Sequence, residues 1–156
     1  MNLRQIFLNS LQLPGKKSMF FLNRTGMDLA IIYLSLLASA PALGSRIIAG
    51  LSMNLVFYLI YFFIFYYLPL LLMLMFLLAV AAWTALGLAK VQTRKFRFQT
   101  LWKLAVYAAT YPVVLCTAYA FITRGFTSLL YPLSFAFIML LLEKMILTYP
   151  QRREKP

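Results

Sequence analysis

Apolar residues run in long blocks along this chain, separated by short polar clusters. Residues 1–23 are the exception. Leu3, Ile6, Phe7 and Leu11 recur in a helical rhythm, with Arg4, Asn9 and Gln12 between them. Pro14-Gly15 breaks the rhythm and Lys16-Lys17 follow. That pattern predicts a short amphipathic helix lying in the plane of a membrane interface. An apolar run at 28–43 ends in Ala38-Ser39-Ala40-Pro41, which is similar to a signal-peptidase site. The stretch before its apolar core is too long for a signal peptide, so the run reads as a first transmembrane helix whose small residues permit close packing. Residues 47–90 form 44 nearly uninterrupted apolar positions around Pro69. At about 1.5 Å per residue this is roughly twice what one ~30 Å crossing requires. Residues 70–89 suffice to span. Residues 50–67 then form an interfacial or re-entrant helix at the outer face, or the outer extension of one long tilted helix. A basic loop over 90–97 leads to a span at 101–122, interrupted by Pro112, and to a last span at 128–147. A polar, basic tail closes the chain. With no repeat and no linker, residues 1–156 read as a single integral membrane domain.

Composition narrows the class. Of 156 residues, 63% are hydrophobic and 12% charged, against about 45–50% and about 25% in soluble domains. Disorder requires low hydrophobicity and is excluded as well. The expected fold is all-α: a polytopic membrane helix bundle of about four transmembrane helices, plus an apolar interfacial or re-entrant helix and the amphipathic N-terminal helix. Lys and Arg number 15 against three acids, for a net charge of +12. The cations flank the apolar runs, which is the positive-inside pattern and not a nucleic-acid footprint. With four crossings and both termini cytoplasmic, 13 cations lie inside and only Arg46 and Arg124 outside. Five crossings give 5 inside and 10 outside, or the reverse. Four crossings are therefore expected.

The candidate residues follow from this frame. Phe57, Tyr58, Tyr61, Phe62 and Phe65 crowd into one apolar segment with Phe63, Tyr66 and Tyr67. They read as an aromatic belt or as a docking surface for a partner or lipid. Lys16, Lys17, Lys90, Arg94, Lys95 and Arg97 are candidate contacts for anionic lipid head groups. Asp28 follows Arg24 by one turn at the start of a helix, where an acid suits the dipole. Glu143 stands next to Lys144, which cannot face it on a helix, so a basic residue of the 90–103 loop is its expected partner. Tyr107, Thr110 and Pro112 are expected to open a local break that frees the carbonyl near Ala108. Cys116 is single and reads as a small hydrophobe. His is absent, and no paired carboxylates, metal cluster, P-loop or GxSxG motif exists. No catalytic residue, cofactor or metal is expected.

The segment around Gln99, Trp102, Tyr107, Thr110 and Pro112, preceded by its basic loop, resembles a bacterial family catalogued as a domain of unknown function, DUF1189. A second match is Phe21, Arg24, Gly26 and Tyr33. The family is in turn distantly similar to the Yip family of multi-pass membrane proteins, and some members carry a maltodextrin-utilisation label. The matches cover roughly residues 14–45 and 68–148. Family members are longer after the first span, where this chain has only its apolar segment. The resemblance implies a plasma-membrane protein of Gram-positive type with four or five helices, and no known chemistry. The expected function is that of a non-enzymatic accessory or scaffold protein docking onto a larger membrane complex. The alternative is a small transporter, channel subunit or lipid-handling protein.

Overall fold

The computed structural model describes residues 3–49, 54–94, 96–123 and 130–148. Helices account for nearly all of them, and among the described residues no strand occurs. The fold is all-α. Two short helices, α1 (Leu3–Ser10) and α2 (Lys16–Asn23), precede the long α3 (Met27–Ala49). After α4 (Leu55–Tyr61) a π-helical turn, Phe62–Tyr67, leads directly into α5 (Leu68–Val91). The remaining helices are α6 (Phe98–Ala108), α7 (Thr110–Thr123) and α8 (Leu130–Thr148).

The apolar segment before Pro69 takes one of the three forms open to it. Residues 55–67 run into α5 without a break, and Val56–Val91 forms one 36-residue helix. The π-helical turn sits immediately before Pro69, with the Leu68 amide bonded to the Phe63 carbonyl. A wider turn accommodates a proline ring that would otherwise collide with the carbonyl four residues back.

At the centre stands α6, which packs against α1, α2, α3, α5, α7 and α8. Its residues from Leu104 to Ala108 are all buried. On α5, Ala81, Ala85 and Ala89 recur every fourth residue and are buried toward α6 and α8, so the backbones can approach closely without a side chain between them. Leu34 of α3 and Leu142, Met145 and Ile146 of α8 complete the core.

The amphipathic N-terminal segment is part of this core. Ile6, Ser10, Met19 and Leu22 are buried, while Lys16 and Lys17 stay exposed. Its apolar stripe faces α6, and Phe7, Leu8 and Phe20 remain on the surface. The helix of 101–122 is divided at Ala109 into α6 and α7, three residues before Pro112, whose nitrogen cannot donate to Ala108, while Ala109 keeps its own bonds to Ala105 and Val113.

Among the described residues, two helices are long and apolar enough to cross a membrane, Val56–Val91 and Phe98–Tyr119. A third is available if α2 and the Met27–Pro41 part of α3, bent by 111° at their junction, count as one broken span. The two differ sharply in cover. Of the most apolar 18-residue stretch, 6% is buried in Val56–Val91 and 56% in Phe98–Tyr119.

Candidate functional site

Buried hydroxyls concentrate where α3 meets α6 and α7. Thr25 closes the α2–α3 turn and donates to the Leu22 carbonyl at 2.6 Å. Its single proton is thereby committed, so the Tyr107 hydroxyl donates to Thr25 at 2.7 Å. One turn higher, the hydroxyls of Tyr33 and Thr110 meet at 2.7 Å. The rings of Tyr33 and Tyr107 lie 5.5 Å apart. Ser10 of α1 borders the Tyr33 hydroxyl and donates to the Ile6 carbonyl. Tyr107 and Thr110 are thus brought together, flanking the division at Ala109, with Pro112 buried just beyond it. Every hydroxyl in this group has a partner, and the group binds helices to one another.

Cations and a phenol close the open ends of helices. Lys103 points back from α6 and donates to the carbonyls of Asn23 at 2.9 Å and Thr25 at 2.8 Å. The Asn23 carbonyl ends α2, where a helix leaves acceptors without partners and where positive charge is favoured, and that of Thr25 lies in the turn before α3. Tyr111 donates to the Leu11 carbonyl just past α1. Arg94 donates to the Ile146 carbonyl in the last turn of α8 at 2.7 Å.

These ties fix which ends lie together. The start of α3 lies beside the second half of α6, and the end of α5 beside the end of α8. Lys90, Arg97 and Lys144 lie toward one end of the bundle and Arg24 at the α2–α3 turn, all four exposed.

The second feature is a groove between α3 and residues 58–67. It encloses about 540 Å³ and is lined by Ile31, Ile32, Ser35, Leu36 and Ser39 on one wall and Tyr58, Leu59, Phe62, Phe63 and Tyr67 on the other. Tyr67 donates across it to the Ser35 carbonyl at 3.0 Å. Ser35 and Ser39 donate to carbonyls of their own helix, Ile31 at 3.0 Å and Leu36 at 2.6 Å. The groove therefore presents mainly hydrocarbon and ring faces, and the hydroxyls of Ser35, Ser39 and Tyr67 are engaged within the protein.

The candidate residues divide accordingly. Phe57 and Phe65 are 72% and 64% exposed, Tyr61 is also exposed, and Tyr58 is half-buried. Phe62 is only 4% exposed, with Tyr58 and Tyr67 stacked on it at centroid distances of 6.1 and 6.4 Å. It shapes the groove wall and cannot itself meet a partner. Arg94 is half-buried and holds α8, which sets it apart from the exposed Lys16, Lys17, Lys90 and Arg97. Lys95 lies outside the described residues. Arg24, Asp28 and Gln99 are exposed. Glu143 is half-buried and forms no ion pair among the described residues. The loop cation that reaches α8 takes a backbone carbonyl instead. Among the described residues no three His, Cys, Asp or Glu side chains are grouped to hold a metal ion.

Lys103, Thr25, Ser35 and Ser39 were not singled out by pattern as site residues. A lysine one turn and a half inside an apolar span is the signal that points to Lys103, because a charge there demands a partner. No protein-family model matches the chain, and neither a curated protein nor a solved structure matches it.

Proposed function

We propose that the chain is a non-enzymatic accessory or scaffold protein of a bacterial plasma membrane, and that it docks onto a larger membrane complex through Val56–Val91. The exposure of that helix carries the reading. Its most apolar stretch is almost wholly unburied, and its outer third displays Phe57, Phe63 and Phe65. The buried hydroxyls where α3 meets α6 and α7, by contrast, are taken up in helix ties. Four crossings are proposed, formed by α3, Val56–Val91, α6 with α7, and α8. Both termini and the basic end then face the cytoplasm, where Lys16, Lys17, Lys90 and Arg97 meet anionic head groups.

The test is a photo-reactive residue at position 57 or 65 in native membranes. A discrete protein adduct is expected at both positions, and adducts to lipid alone would remove the reading. Topology is tested separately in a Cys116→Ser background. An impermeant thiol reagent added outside should label a cysteine placed at 57 and spare one placed at 97. Lipid handling is the second reading, favoured by the apolar groove. It requires vesicle flux that rises above background and responds to Pro112→Ala.

A further inference from the structure

Resting on the membrane reading above, we infer that the outward face of α2 is a docking surface for anionic phospholipid. Lys16, Lys17 and Arg24 take head-group phosphates there, around the ring of Phe20.

The face follows from helical spacing. Positions 16, 17, 20 and 24 fall on one side of a helix, and all four side chains are exposed. Ser18, Met19 and Leu22 fall on the opposite side and are buried, and α2 packs against α1 and α6. Three cations thus surround one large ring, which is 46% exposed. The neighbouring α1 continues the mixture, with exposed Arg4 beside exposed Leu3, Phe7 and Leu8.

Depth places this face at the edge of the bilayer. α6 begins at Phe98, and Lys103, one turn and a half further in, holds the carbonyls of Asn23 and Thr25. Tyr111, about 12 Å beyond Lys103 along the helix, holds the Leu11 carbonyl between α1 and α2. The pair α1–α2 therefore lies alongside α6 and not past its end. The axis of α2 is inclined at 111° to the Met27–Pro41 part of α3, so it runs close to the membrane plane where α3 crosses. Its free side then looks sideways into the head-group layer. Cations and rings side by side suit that layer, where phosphates and the first acyl carbons meet.

Charge selects the lipid. No acid precedes Asp28 in the chain, and among the described residues none of Arg4, Lys16, Lys17 and Arg24 meets a carboxylate. The positive charge of this face is unanswered within the chain. Phosphatidylcholine carries its own cation and answers it poorly, whereas a lipid of net negative charge neutralises it. The apolar neighbours favour an anion that brings hydrocarbon with it over a free phosphate. Each cation near an anionic surface is worth roughly fivefold in affinity.

The experiment uses purified full-length protein, stripped of lipid in mild detergent and titrated with phosphatidylglycerol or phosphatidylcholine, with bound lipids counted by native mass spectrometry. Phosphatidylglycerol should bind at least about tenfold more tightly at low salt, and added salt should shrink the difference. Lys17→Gln should weaken phosphatidylglycerol roughly fivefold. The triple variant Lys16→Gln/Lys17→Gln/Arg24→Gln should bring it to the level of phosphatidylcholine, and Lys144→Gln should leave it unchanged. An unchanged thermal midpoint shows that each variant is folded. Equal binding of the two lipids by the wild-type protein overturns the inference before any variant is made, and so does a preference that survives the triple substitution. Displacement of phosphatidylglycerol by soluble glycerol phosphate overturns the lipid as occupant. Alkaline extraction of native membranes separates this inference from the reading beneath it. Release of the chain removes the membrane reading itself, whereas a chain that stays in the membrane and shows no lipid preference removes the docking surface alone.

Discussion

Thr93 occupies the left-handed region, with φ of 56°. The reason is the way α5 stops. The Arg94 amide bonds to the Ala89 carbonyl and the Thr93 amide to the Lys90 carbonyl, the paired bonds of a Schellman ending. Its left-handed position ordinarily falls to glycine, because a β-branched side chain is crowded there. The left-handed state costs an L-residue about 1–2 kcal/mol, and glycine returns part of that as lost chain entropy. We expect Thr93→Gly to raise stability by about 0.5–1 kcal/mol, read as a higher thermal midpoint in detergent. An unchanged or lower midpoint contradicts this account. The hydroxyl pairs lead to a second expectation. Tyr33→Phe strips the fully buried Thr110 of its partner and should cost about 1–3 kcal/mol. The double-mutant cycle with Thr110→Val should return a coupling of about 0.6 kcal/mol, the average for such pairs in membranes. A coupling of zero would mean that the two hydroxyls act independently. At this scale the sequence was partly legible. Tyr107, Thr110 and Pro112 stood out in it, but their partners Thr25 and Tyr33 lie about 80 residues away, and local spacing carries no information about that pairing.

At the scale of elements, the apolar runs were the legible part. The runs at 70–89 and 101–122 fall within α5 and α6–α7, and that at 28–43 within α3. Pro112 marked the interruption because the loss of a backbone donor is a local property. The N-terminal segment was harder to place. Amphipathicity alone fits a helix floating at an interface and a helix docked on a bundle equally well, since both offer an apolar neighbour. What separates them is Lys103, which reaches one carbonyl at the end of α2 and one in the turn that follows. Hydrogen bonds to a charged donor contribute about 1.5–3 kcal/mol. Lys103→Met keeps the length of the side chain and removes the donor. It should destabilise by about that amount and speed amide exchange across residues 16–26 ahead of the rest of the chain. Lys90→Met, at an exposed position, should stay within about 0.5 kcal/mol. Equal effects from the two would remove the capping role of Lys103.

For the whole molecule, the decisive fact is a mismatch of length and cover. A helix of 36 residues is about 54 Å long, and a tilt of even about 40° leaves it longer than a ~30 Å core. Reconstitution in lipids of increasing acyl length should therefore raise the thermal midpoint steadily, because each added ångström covers more of the aromatic end. A midpoint that peaks in thin bilayers would mean that this end lies along the surface. Charge counting could only propose an order of crossings, since cations are visible in sequence. It could not show that residues 55–67 run into α5 without a break, because a proline is compatible with both a hairpin and a bulged helix. The long-range ties also bear on biosynthesis. Thr25 waits for Tyr107 across 82 positions, and the end of α2 waits for Lys103 across 80. A ribosome adding about 5–20 residues per second needs roughly 4–16 s to close that gap. On the proposed membrane reading, the N-terminal helices wait throughout it with the carbonyls that Lys103 takes still unanswered. A nascent chain stalled before residue 98 should thus stay bound to the insertion machinery, and release should coincide with the emergence of α6.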